Sequence, residues 1–253
     1  MSSKVIIVTG GSRGIGLAIT NWLIKNSHKV VVVSRSEQAL KKIKDEHPSQ
    51  VEYIAADLTE LAVAPKVIAV AVQTFGRLDG LVVNHGILTP IKRIADSTID
   101  EWKKTYDANL WSALALVKAA IPLLRETKGR IVFTSSGAAL HGYAAWGPYG
   151  SSKAAMNSLA QHIAVEEPLI ATVSVGPGRV DTDMQKEIRE TGKAMDGEQH
   201  ADFVSVFEKG KLNKPEWPGN VIARLAVEAK TDLHGEYYSW NSPELAAYRD
   251  DNA

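Results

Sequence analysis

The sequence predicts an α/β fold, a doubly wound parallel sheet with helices packed on both of its faces. Two observations support this prediction. Short runs rich in β-branched residues alternate with longer stretches of helical period, and a glycine-rich loop follows the first run directly. Because these runs are apolar on both faces, they fit buried parallel strands joined by crossover helices. No linker and no block of charge interrupts the pattern, so we expect a single domain, 1–253.

The strands and helices are expected in regular alternation along the chain. The predicted strands are 4–9, 29–34, 51–56, 78–84, 129–135, 170–175 and 235–240. The predicted helices are 15–26, 36–46, 60–75, 98–127, 148–167 and 215–229. Residues 183–214 mix charges with spaced apolar side chains. We interpret this segment either as a mobile lid over a substrate or as an ordinary pair of surface helices.

The composition narrows the possible partners. Lys and Arg together number 29, as do Asp and Glu, so no global field attracts nucleic acid or an anionic membrane. The chain has no cysteine, and its seven histidines lack the spacing of a metal site. No apolar run has the length of a membrane span, and the start of the chain has no signal-peptide pattern. We therefore expect a cytoplasmic protein that uses no metal and binds neither nucleic acid nor membrane.

Two residues of the stretch YGSSK, Tyr149 and Lys153, point to proton chemistry. Residues four apart on a helix are neighbours, with Cβ atoms roughly 5–6 Å from each other. A nearby cation favours tyrosinate and lowers the pKa of the phenol, so Tyr149 is a candidate proton donor or acceptor. Such a pair also arises by chance, and it carries weight only in combination with other motifs.

The glycine-rich loop TGGSRGIG, residues 9–16, opens the first helix. Here Gly10 permits a tight turn, Gly14 lets the backbone approach a pyrophosphate, and Gly16 allows close helix packing. The N–H groups and positive dipole end of the helix would then hold the phosphates. The loop is also compatible with a glycine turn that binds no ligand.

The same loop matches G-x-S-x-G with Ser12 at its centre, which is the pattern of the nucleophile elbow of α/β-hydrolases. A serine hydrolase is therefore an alternative. It requires an acid and a histidine later in the chain, and the candidate histidines are His141, His162, His200 and His234. This alternative leaves Tyr149 and Lys153 without a role.

The end of the second strand indicates which dinucleotide binds. An NAD site places Asp or Glu here against the adenosine ribose, whereas this chain has Ser34, Arg35 and Ser36. A guanidinium and two hydroxyls suit a 2′-phosphate, and Arg13 in the glycine loop is positioned to approach the same group. NADP(H) is therefore the expected cofactor. The alternative is that Arg35 only solvates the start of the helix.

These motifs together resemble the short-chain dehydrogenase/reductase family over nearly the whole chain, which implies a Rossmann fold. The helix asparagine of the family's catalytic tetrad falls on Asn109, and the tyrosine–lysine pair on Tyr149 and Lys153. The family places its serine 13 residues before the tyrosine, which selects Ser136 over Ser135. Taken with the loop analysis, the cofactor contacts implied are Gly10, Ser12, Arg13, Gly14, Ile15, Gly16, Ser34, Arg35, Ser36, Asp57, Leu58, Asn84, Gly86, Tyr149, Lys153, Pro177, Gly178, Val180 and Thr182.

Within the family the chain resembles the fungal carbonyl reductases grouped with benzil reductase and sepiapterin reductase. The resemblance implies an NADPH-dependent reductase of a ketone, diketone or aldehyde, in which Tyr149 gives its proton to the carbonyl oxygen. Lys153 would lower the Tyr149 pKa and bind the nicotinamide ribose, Ser136 would hold the carbonyl oxygen, and Asn109 would anchor a water. An alcohol dehydrogenase working in the oxidative direction and a non-catalytic NADP sensor remain alternatives.

Two positions depart from the family pattern. His85 replaces the alanine of the N-A-G motif, and Gly176 stands where a larger residue usually precedes Pro-Gly. We expect His85 to be a satisfied, partly buried histidine rather than a catalytic one.

The substrate pocket and the oligomeric state are predicted as well. The expected pocket residues, which are equally compatible with a plain hydrophobic core, are Leu88, His141, Tyr143, Trp146, Met184, Phe203 and Phe207. The resemblance also implies a homodimer that forms through the long helices 98–127 and 148–167.

Overall fold

The computed structural model describes residues 2–250, so the ends of the predicted domain 1–253 lie outside the described residues. One seven-stranded sheet runs through the molecule in the order β3-β2-β1-β4-β5-β6-β7, and every neighbouring pair is parallel. The strands are β1 Val5–Thr9, β2 Lys29–Ser34, β3 Val51–Ala55, β4 Gly80–Val83, β5 Arg130–Thr134, β6 Ala171–Gly176 and β7 Tyr237–Ser239. The predicted doubly wound parallel sheet is thus confirmed.

Nine helices flank the sheet within the described residues. They are α1 Gly14–Lys25, α2 Glu37–Glu46, α3 Ala64–Phe75, α4 Ile99–Tyr106, α5 Ser112–Thr127, α6 Gly147–Glu166, α7 Asp183–Thr191, α8 Gly197–Glu208 and α9 Glu216–Glu228. The helix expected from residue 60 begins later, because a 3₁₀ turn at Leu61–Val63 precedes α3. The helix expected at 98–127 is divided by a π-helical turn, Asp107–Trp111. Residues 183–214 form the helix pair α7 and α8.

Successive residues of each strand pack alternately into two separate hydrophobic cores, one on each face of the sheet. On β1, Ile6 and Val8 face the core built with α1 and α9, whereas Val5 and Ile7 face the core built with α3, α5 and α6. All four side chains are almost fully buried. This two-sided burial is the reason that the strands read as continuous apolar runs.

The helix that runs from α4 through α5, Ile99–Thr127, is the one helix among residues 2–250 that is long and apolar enough to cross a membrane. By length and composition alone this is weak evidence for a span. In the fold, α5 packs against α3 and β4, and Leu116 and Leu124 are fully buried there. Its apolar face is therefore used inside the protein.

The sheet topology fixes where a ligand can bind. The chain winds outward from β1 to β3 on one side and from β4 to β7 on the other, so the direction of winding reverses between β1 and β4. The loops that follow these two strands diverge there and leave a crevice at the carboxyl edge of the sheet.

Candidate active site

A cavity of about 1320 Å³ opens at this crevice. It is lined by loops from the carboxyl ends of six strands, β1 to β6. The predicted cofactor residues that line it are Gly10, Ser12, Arg13, Gly14, Ile15, Ser34, Arg35, Ser36, Asp57, Leu58, Asn84, Gly86, Tyr149, Lys153, Pro177 and Thr182. Three other predicted contacts, Gly16, Gly178 and Val180, do not line it.

Gly16 is absent from the cavity wall because it is occupied with packing. A Cβ at Gly16 would lie 2.1 Å from the carbonyl oxygen of Gly10 and 2.6 Å from Nδ2 of Asn84. Only glycine lets α1 approach the loop so closely. Gly10 itself has a φ of 63°, in the left-handed region that glycine adopts without strain.

The N-terminus of α1 is free to receive an anion. Arg13 occupies the N-cap but makes no side-chain capping bond, and the first turn contains no acidic residue. The open N–H groups and the positive end of the helix dipole therefore remain uncompensated. Because this end of the helix lies at the cavity, it suits a pyrophosphate.

The end of β2 presents a free cationic and hydroxyl surface to the cavity. Within the described part of the chain, the hydroxyl of Ser34 is buried and has no hydrogen-bond partner, and Ser36 at the N-cap of α2 makes no capping bond with its side chain. Arg35 is exposed, and no ion pair among residues 2–250 includes it. A buried hydroxyl without a partner beside a free guanidinium fits a phosphate ligand.

Arg13 is arranged differently. Its Nη1 lies 2.6 Å from Oδ2 of Asp183, in the first turn of α7, and both side chains are 71% exposed. In this structure the guanidinium therefore links the glycine loop to α7 instead of pointing toward Arg35 as a second free cation. This pair could not be predicted from local sequence, because 170 residues separate its members.

The two polar residues after β4 hold strand ends together. Nδ2 of Asn84 donates to the carbonyl oxygens of Thr9 and Gly10 at 3.2 and 3.3 Å, and Oδ1 of Asn84 accepts from the hydroxyl of Thr134 at 3.1 Å. The ring of His85 lies 2.7 Å from Oγ1 of Thr9 and 2.8 Å from Oγ of Ser112. These contacts join the ends of β1, β4 and β5 with α5.

His85 is neutral in this position. Burial, together with the nearby charge of Lys153, lowers its pKa to about 3. Both ring nitrogens have hydroxyl partners, so the histidine is satisfied and partly buried, as expected. It bridges two elements of the structure at the wall of the cavity.

Tyr149 and Lys153 line one end of the cavity, and Ser136 lies beside Tyr149. Tyr149 and Lys153 lie on consecutive turns at the start of α6, and both are almost completely buried. The hydroxyl of Ser136, in the turn after β5, is a hydrogen-bond partner of the Tyr149 phenol. This bond favours tyrosinate, but burial outweighs it and raises the pKa of Tyr149 above its ordinary value.

Lys153 does not lower the Tyr149 pKa in this structure, and that expectation is wrong here for a geometric reason. Nζ of Lys153 donates to the carbonyl oxygen of Thr134 at 2.7 Å and lies 5.9 Å from the centre of the Tyr149 ring. Burial lowers the pKa of the ammonium itself to about 8. The desolvation of both groups therefore dominates over their mutual interaction.

Asn109 lies in the π-helical turn between α4 and α5 and is buried. Its side chain exchanges hydrogen bonds with Ile87, accepting from the backbone N–H at 2.8 Å and donating to the carbonyl oxygen at 3.0 Å. It also donates to Ser152, the neighbour of Lys153 on α6. A Cβ at Gly86 would lie 3.1 Å from Asn109 Oδ1 and 3.6 Å from Lys153 Nζ, so the two predicted tetrad members flank the same glycine.

The buried ammonium leads to a prediction about stability. The pKa of Lys153 is about 8 in the folded protein and 10.5 ordinarily, so between these values the unfolded chain binds a proton that the folded chain has lost. The free energy of unfolding of the native protein should therefore rise with pH in this window, by up to about 3 kcal/mol relative to Lys153→Met. Denaturant titrations of both proteins from pH 7 to pH 10 measure this difference. The exposed Lys25→Met is the control, and parallel pH profiles for native protein and Lys153→Met would contradict the assignment.

Five of the seven predicted pocket residues lie in or against one apolar cluster with Tyr149. Leu88, Trp146 and Phe203 are buried in it, and Tyr143 and Met184 pack against it. The aromatic ring centres are close, with Tyr143 4.8 Å and Phe203 5.3 Å from Trp146. The cluster also contains four residues that sequence reasoning missed, namely Ala138, Ala145, Ile188 and Met195.

The other two predicted pocket residues, His141 and Phe207, lie outside this cluster. His141 is exposed in the loop after β5 and is not a member of the cluster. Phe207 is 46% exposed, and its ring stacks under the guanidinium of Arg189, 3.7 Å from the ring centre. It is four residues after Phe203 on α8, and only the earlier phenylalanine turns inward.

The departure at Gly176 is explained by Tyr237, a further residue that sequence reasoning missed. A Cβ at Gly176 would lie 2.0 Å from the Tyr237 hydroxyl oxygen. Tyr237, on the neighbouring strand β7, therefore fills the space that a larger side chain would occupy. Its phenol is near enough to Tyr149 that a negative charge on it would raise the Tyr149 pKa. The sequence signal for this contact is the glycine before Pro177 together with the two tyrosines of the last strand.

Gly176→Ala should therefore lower the free energy of unfolding by about 1–3 kcal/mol, because the new methyl group overlaps the phenol. The penalty should shrink in a Tyr237→Ala background, as a double-mutant cycle would measure. Gly137→Ala is the control, since nothing lies within 4 Å of its added Cβ. Equal penalties in both backgrounds would show that the two residues do not compete for space.

The hydrolase alternative lacks its histidine in this structure. Both ring nitrogens of His234 contact backbone groups, of Thr172 and Ala164, and His200 contacts the carbonyl oxygens of Ile188 and Arg189. No side chain among residues 2–250 makes a hydrogen bond to the hydroxyl of Ser12 that would activate it. In the same part of the chain no group of three or more His, Cys, Asp or Glu side chains could hold a metal ion.

Comparison with known proteins agrees with this geometry. A family model described as short chain dehydrogenase matches residues 4–193. The benzil reductase, (S)-benzoin forming, of Saccharomyces cerevisiae is 37% identical over 256 residues, which cover 96% of this chain and 97% of that protein. These matches confirm the resemblance that the sequence motifs indicated.

Two solved structures are similar over nearly the whole chain. A short chain dehydrogenase/reductase from Saccharomyces cerevisiae has a TM-score of 0.96 at 40% identity, with 98% of this chain and 100% of that chain covered. ElxO with NADP bound has a TM-score of 0.80 at 28% identity, with 94% of this chain and 97% of that chain covered.

Proposed function

We propose that this chain, which belongs to the short chain dehydrogenase family of oxidoreductases, is an NADPH-dependent carbonyl reductase. One observation carries the proposal. A single cavity joins a free cationic and hydroxyl surface, at Ser34 and Arg35, to the buried pair Tyr149 and Lys153. The first end suits the phosphate of a dinucleotide, and the second supplies a proton donor where a carbonyl group would react.

The charge of the residues at the end of β2 favours NADPH over NADH. Positions 34–36, at the end of β2, hold no carboxylate that would repel a 2′-phosphate and accept from a ribose 2′-hydroxyl. Arg35 is instead free to pair with the phosphate, and the unpartnered hydroxyl of Ser34 gains a hydrogen bond. The NADP bound to the related ElxO is consistent with this choice.

The cofactor, when bound, supplies a hydride to the carbonyl carbon. The role of the chain is to hold the substrate and move the proton. Tyr149 donates its phenolic proton to the carbonyl oxygen, so no free alkoxide accumulates. The hydroxyl of Ser136, the neighbour of the phenol, holds the same oxygen in place. Burial keeps the phenol protonated before the reaction, as a proton donor requires.

Lys153 and Asn109 restore the proton to Tyr149. The lowered pKa of the ammonium, about 8, makes Lys153 a ready proton carrier near neutral pH. Asn109 and Lys153 face one another across Gly86, and a water held there by Asn109 would connect the ammonium to solvent. Lys153 also lines the cavity, where its ammonium would bind the nicotinamide ribose.

The substrate class follows from the apolar cluster beside Tyr149. Its side chains are aromatic and aliphatic, among them Trp146, Phe203, Tyr143 and Leu88, and it meets the cavity at Tyr149 and Met184. Such side chains favour an aromatic or extended apolar ketone, diketone or aldehyde. The related yeast protein is a benzil reductase, and benzil is an aromatic diketone. We propose that α7 and α8, which supply Met184 and Phe203, act as the lid over this substrate.

We also propose that the protein forms a homodimer through α4, α5 and α6. The large apolar side chains exposed on or just beyond these helices include Trp111, Val165 and Leu169, and Val165 is 82% exposed. A twofold contact between these faces would bury all three. The absence of metal, nucleic-acid and membrane partners and the cytoplasmic location stay predictions from the sequence.

A turnover screen tests the proposed function. Purified protein is incubated with NADPH and diketones, quinones, pterins or simple ketones, and the loss of absorbance of NADPH is followed. We expect turnover with apolar ketones or diketones. Oxidation of alcohols with NADP⁺ but no reduction would favour the dehydrogenase alternative, and tight NADP binding without any turnover would favour the sensor.

A further inference from the structure

The indole N–H of Trp146 is buried and has no hydrogen-bond partner among residues 2–250. Trp146 as a whole is only 5% exposed, so this donor is shielded from bulk solvent. Trp102 shows the usual arrangement, because its indole N–H donates to the hydroxyl of Ser97 at 2.9 Å. A buried donor without a partner costs free energy. A bound ligand that supplies the missing acceptor is one explanation for such a donor.

The position of Trp146 points to the substrate as that ligand. Its ring stands perpendicular to the ring of Tyr149, with the centres 5.7 Å apart. The neighbouring Leu88, Met195 and Phe203 are apolar, and no acceptor among residues 2–250 lies within hydrogen-bond distance of the indole nitrogen. The indole is therefore a polar group within a packed apolar cluster, one ring away from the phenol that is proposed to donate the proton. Trp146 does not line the cavity, so a substrate reaches it when the proposed lid, α7 and α8, moves aside.

We propose that the indole N–H of Trp146 binds the second carbonyl oxygen of a 1,2-dicarbonyl substrate while Tyr149 and Ser136 hold the first. This inference rests on the proposed carbonyl reductase function and names its substrate class. The two oxygens of a 1,2-dicarbonyl lie on adjacent carbons, so two donors one ring apart can hold both. One hydride and one proton convert the first carbonyl to an alcohol, and the product is an α-hydroxy ketone whose second carbonyl is unchanged.

Trp146 would thereby determine specificity. A site built to donate a hydrogen bond discriminates against an analogue without the acceptor, because the buried donor is then left unpaired. A simple ketone of the same shape should fit the apolar walls but leave the indole N–H unsatisfied. The competing explanation is that the N–H rests on the face of a neighbouring ring, such as that of Tyr149 or Phe203.

The test compares benzil with deoxybenzoin, in which a methylene group replaces one carbonyl. The kcat/KM for each is measured with NADPH in native protein and in Trp146→Phe, which keeps an aromatic ring but removes the donor. The ratio of benzil to deoxybenzoin should fall by about tenfold or more in the variant, because only benzil loses a hydrogen bond. Comparing ratios between proteins cancels the different intrinsic reactivities of the two ketones. Trp22→Phe, on α1 and not among the residues that line the cavity, should leave both values unchanged.

A second measurement does not depend on the folding of the variant. The indole ¹⁵N–¹H signals of the native protein, which has six tryptophans, are recorded with NADP⁺ and either benzil or deoxybenzoin. One indole signal should move downfield with benzil and not with deoxybenzoin, and it should be the signal missing in Trp146→Phe when that variant folds.

The outcomes separate the two proposals. If the native protein reduces neither ketone, the proposed function fails. If it reduces both, but the variant keeps the native ratio or no indole signal responds to benzil alone, the carbonyl reductase stands and the role of Trp146 is wrong.

Discussion

Tyr149→Phe is expected to lower kcat for carbonyl reduction by about 10²-fold or more and to leave NADPH binding nearly unchanged. Phenylalanine keeps the ring that packs perpendicular to Trp146, so the apolar cluster stays filled. It removes the hydroxyl that Ser136 contacts and that is assigned the proton. The measurements are steady-state kinetics with one ketone and titration of the cofactor by fluorescence.

Tyr238→Phe is the matched control for this prediction. It removes the same hydroxyl from a tyrosine that packs on the opposite core, with α1 and α9, and it should leave kcat unchanged. Near-normal turnover in Tyr149→Phe, with the control also normal, would refute the assignment of the proton donor. Loss of NADPH binding together with turnover would instead indicate that the phenol shapes the cofactor site.

The sheet could be predicted from the sequence because each buried strand carries its own signal. Residues 29–34, for example, are apolar on both faces, and such a run has few alternatives to a central parallel strand. Helix ends were less certain. The segment before Ala64 has helical period, yet its first turn is 3₁₀, and Thr98 caps α4 because Glu101 completes a capping box with it. Such details depend on single side-chain hydrogen bonds that periodicity does not report.

In the candidate site, too, some contacts could be predicted from the sequence and others could not. Contacts within one loop, such as the glycine turn or the pairing of Tyr149 with Lys153 on α6, can be read from spacing. Contacts between distant segments cannot. The pairing of Arg13 with Asp183 and the filling of the Gly176 position by Tyr237 join residues whose proximity is set by the sheet order alone. The direction of the Lys153 side chain, toward the carbonyl of Thr134, likewise depends on how β5 meets α6.

The exposure of neighbouring apolar residues shows a related limit. Phe203 and Phe207 are four residues apart, a spacing that places both on one face of a helix, and both were assigned to the pocket. In the fold α8 is short and lies at the surface, so the pocket reaches only its first turns, and Phe207 packs under Arg189 instead. A periodic pattern identifies a face but not how far along the helix that face is covered.

The cofactor preference should be reversed or strongly narrowed by Ser34→Asp combined with Arg35→Ala. The double change removes the free guanidinium and the unpartnered hydroxyl at the end of β2 and puts there a carboxylate, which repels a 2′-phosphate but accepts from a ribose hydroxyl. Each hydrogen bond to a charged group is worth roughly 1.5–3 kcal/mol. The ratio of kcat/KM for NADPH to that for NADH should therefore fall by about 10²-fold or more, measured with one ketone for both cofactors.

Two further observations separate a specific phosphate site from a general effect of charge. Lys42→Ala removes an exposed cation from α2, outside the cavity, and should leave the cofactor ratio unchanged. Added salt should weaken NADPH binding more than NADH binding in the native protein, because the extra phosphate is held by an exposed arginine, and this difference should disappear in the double variant. Equal use of both cofactors by the native protein, unchanged by the substitutions, would mean that Arg35 only solvates the start of α2 and that NADP is not the preferred cofactor.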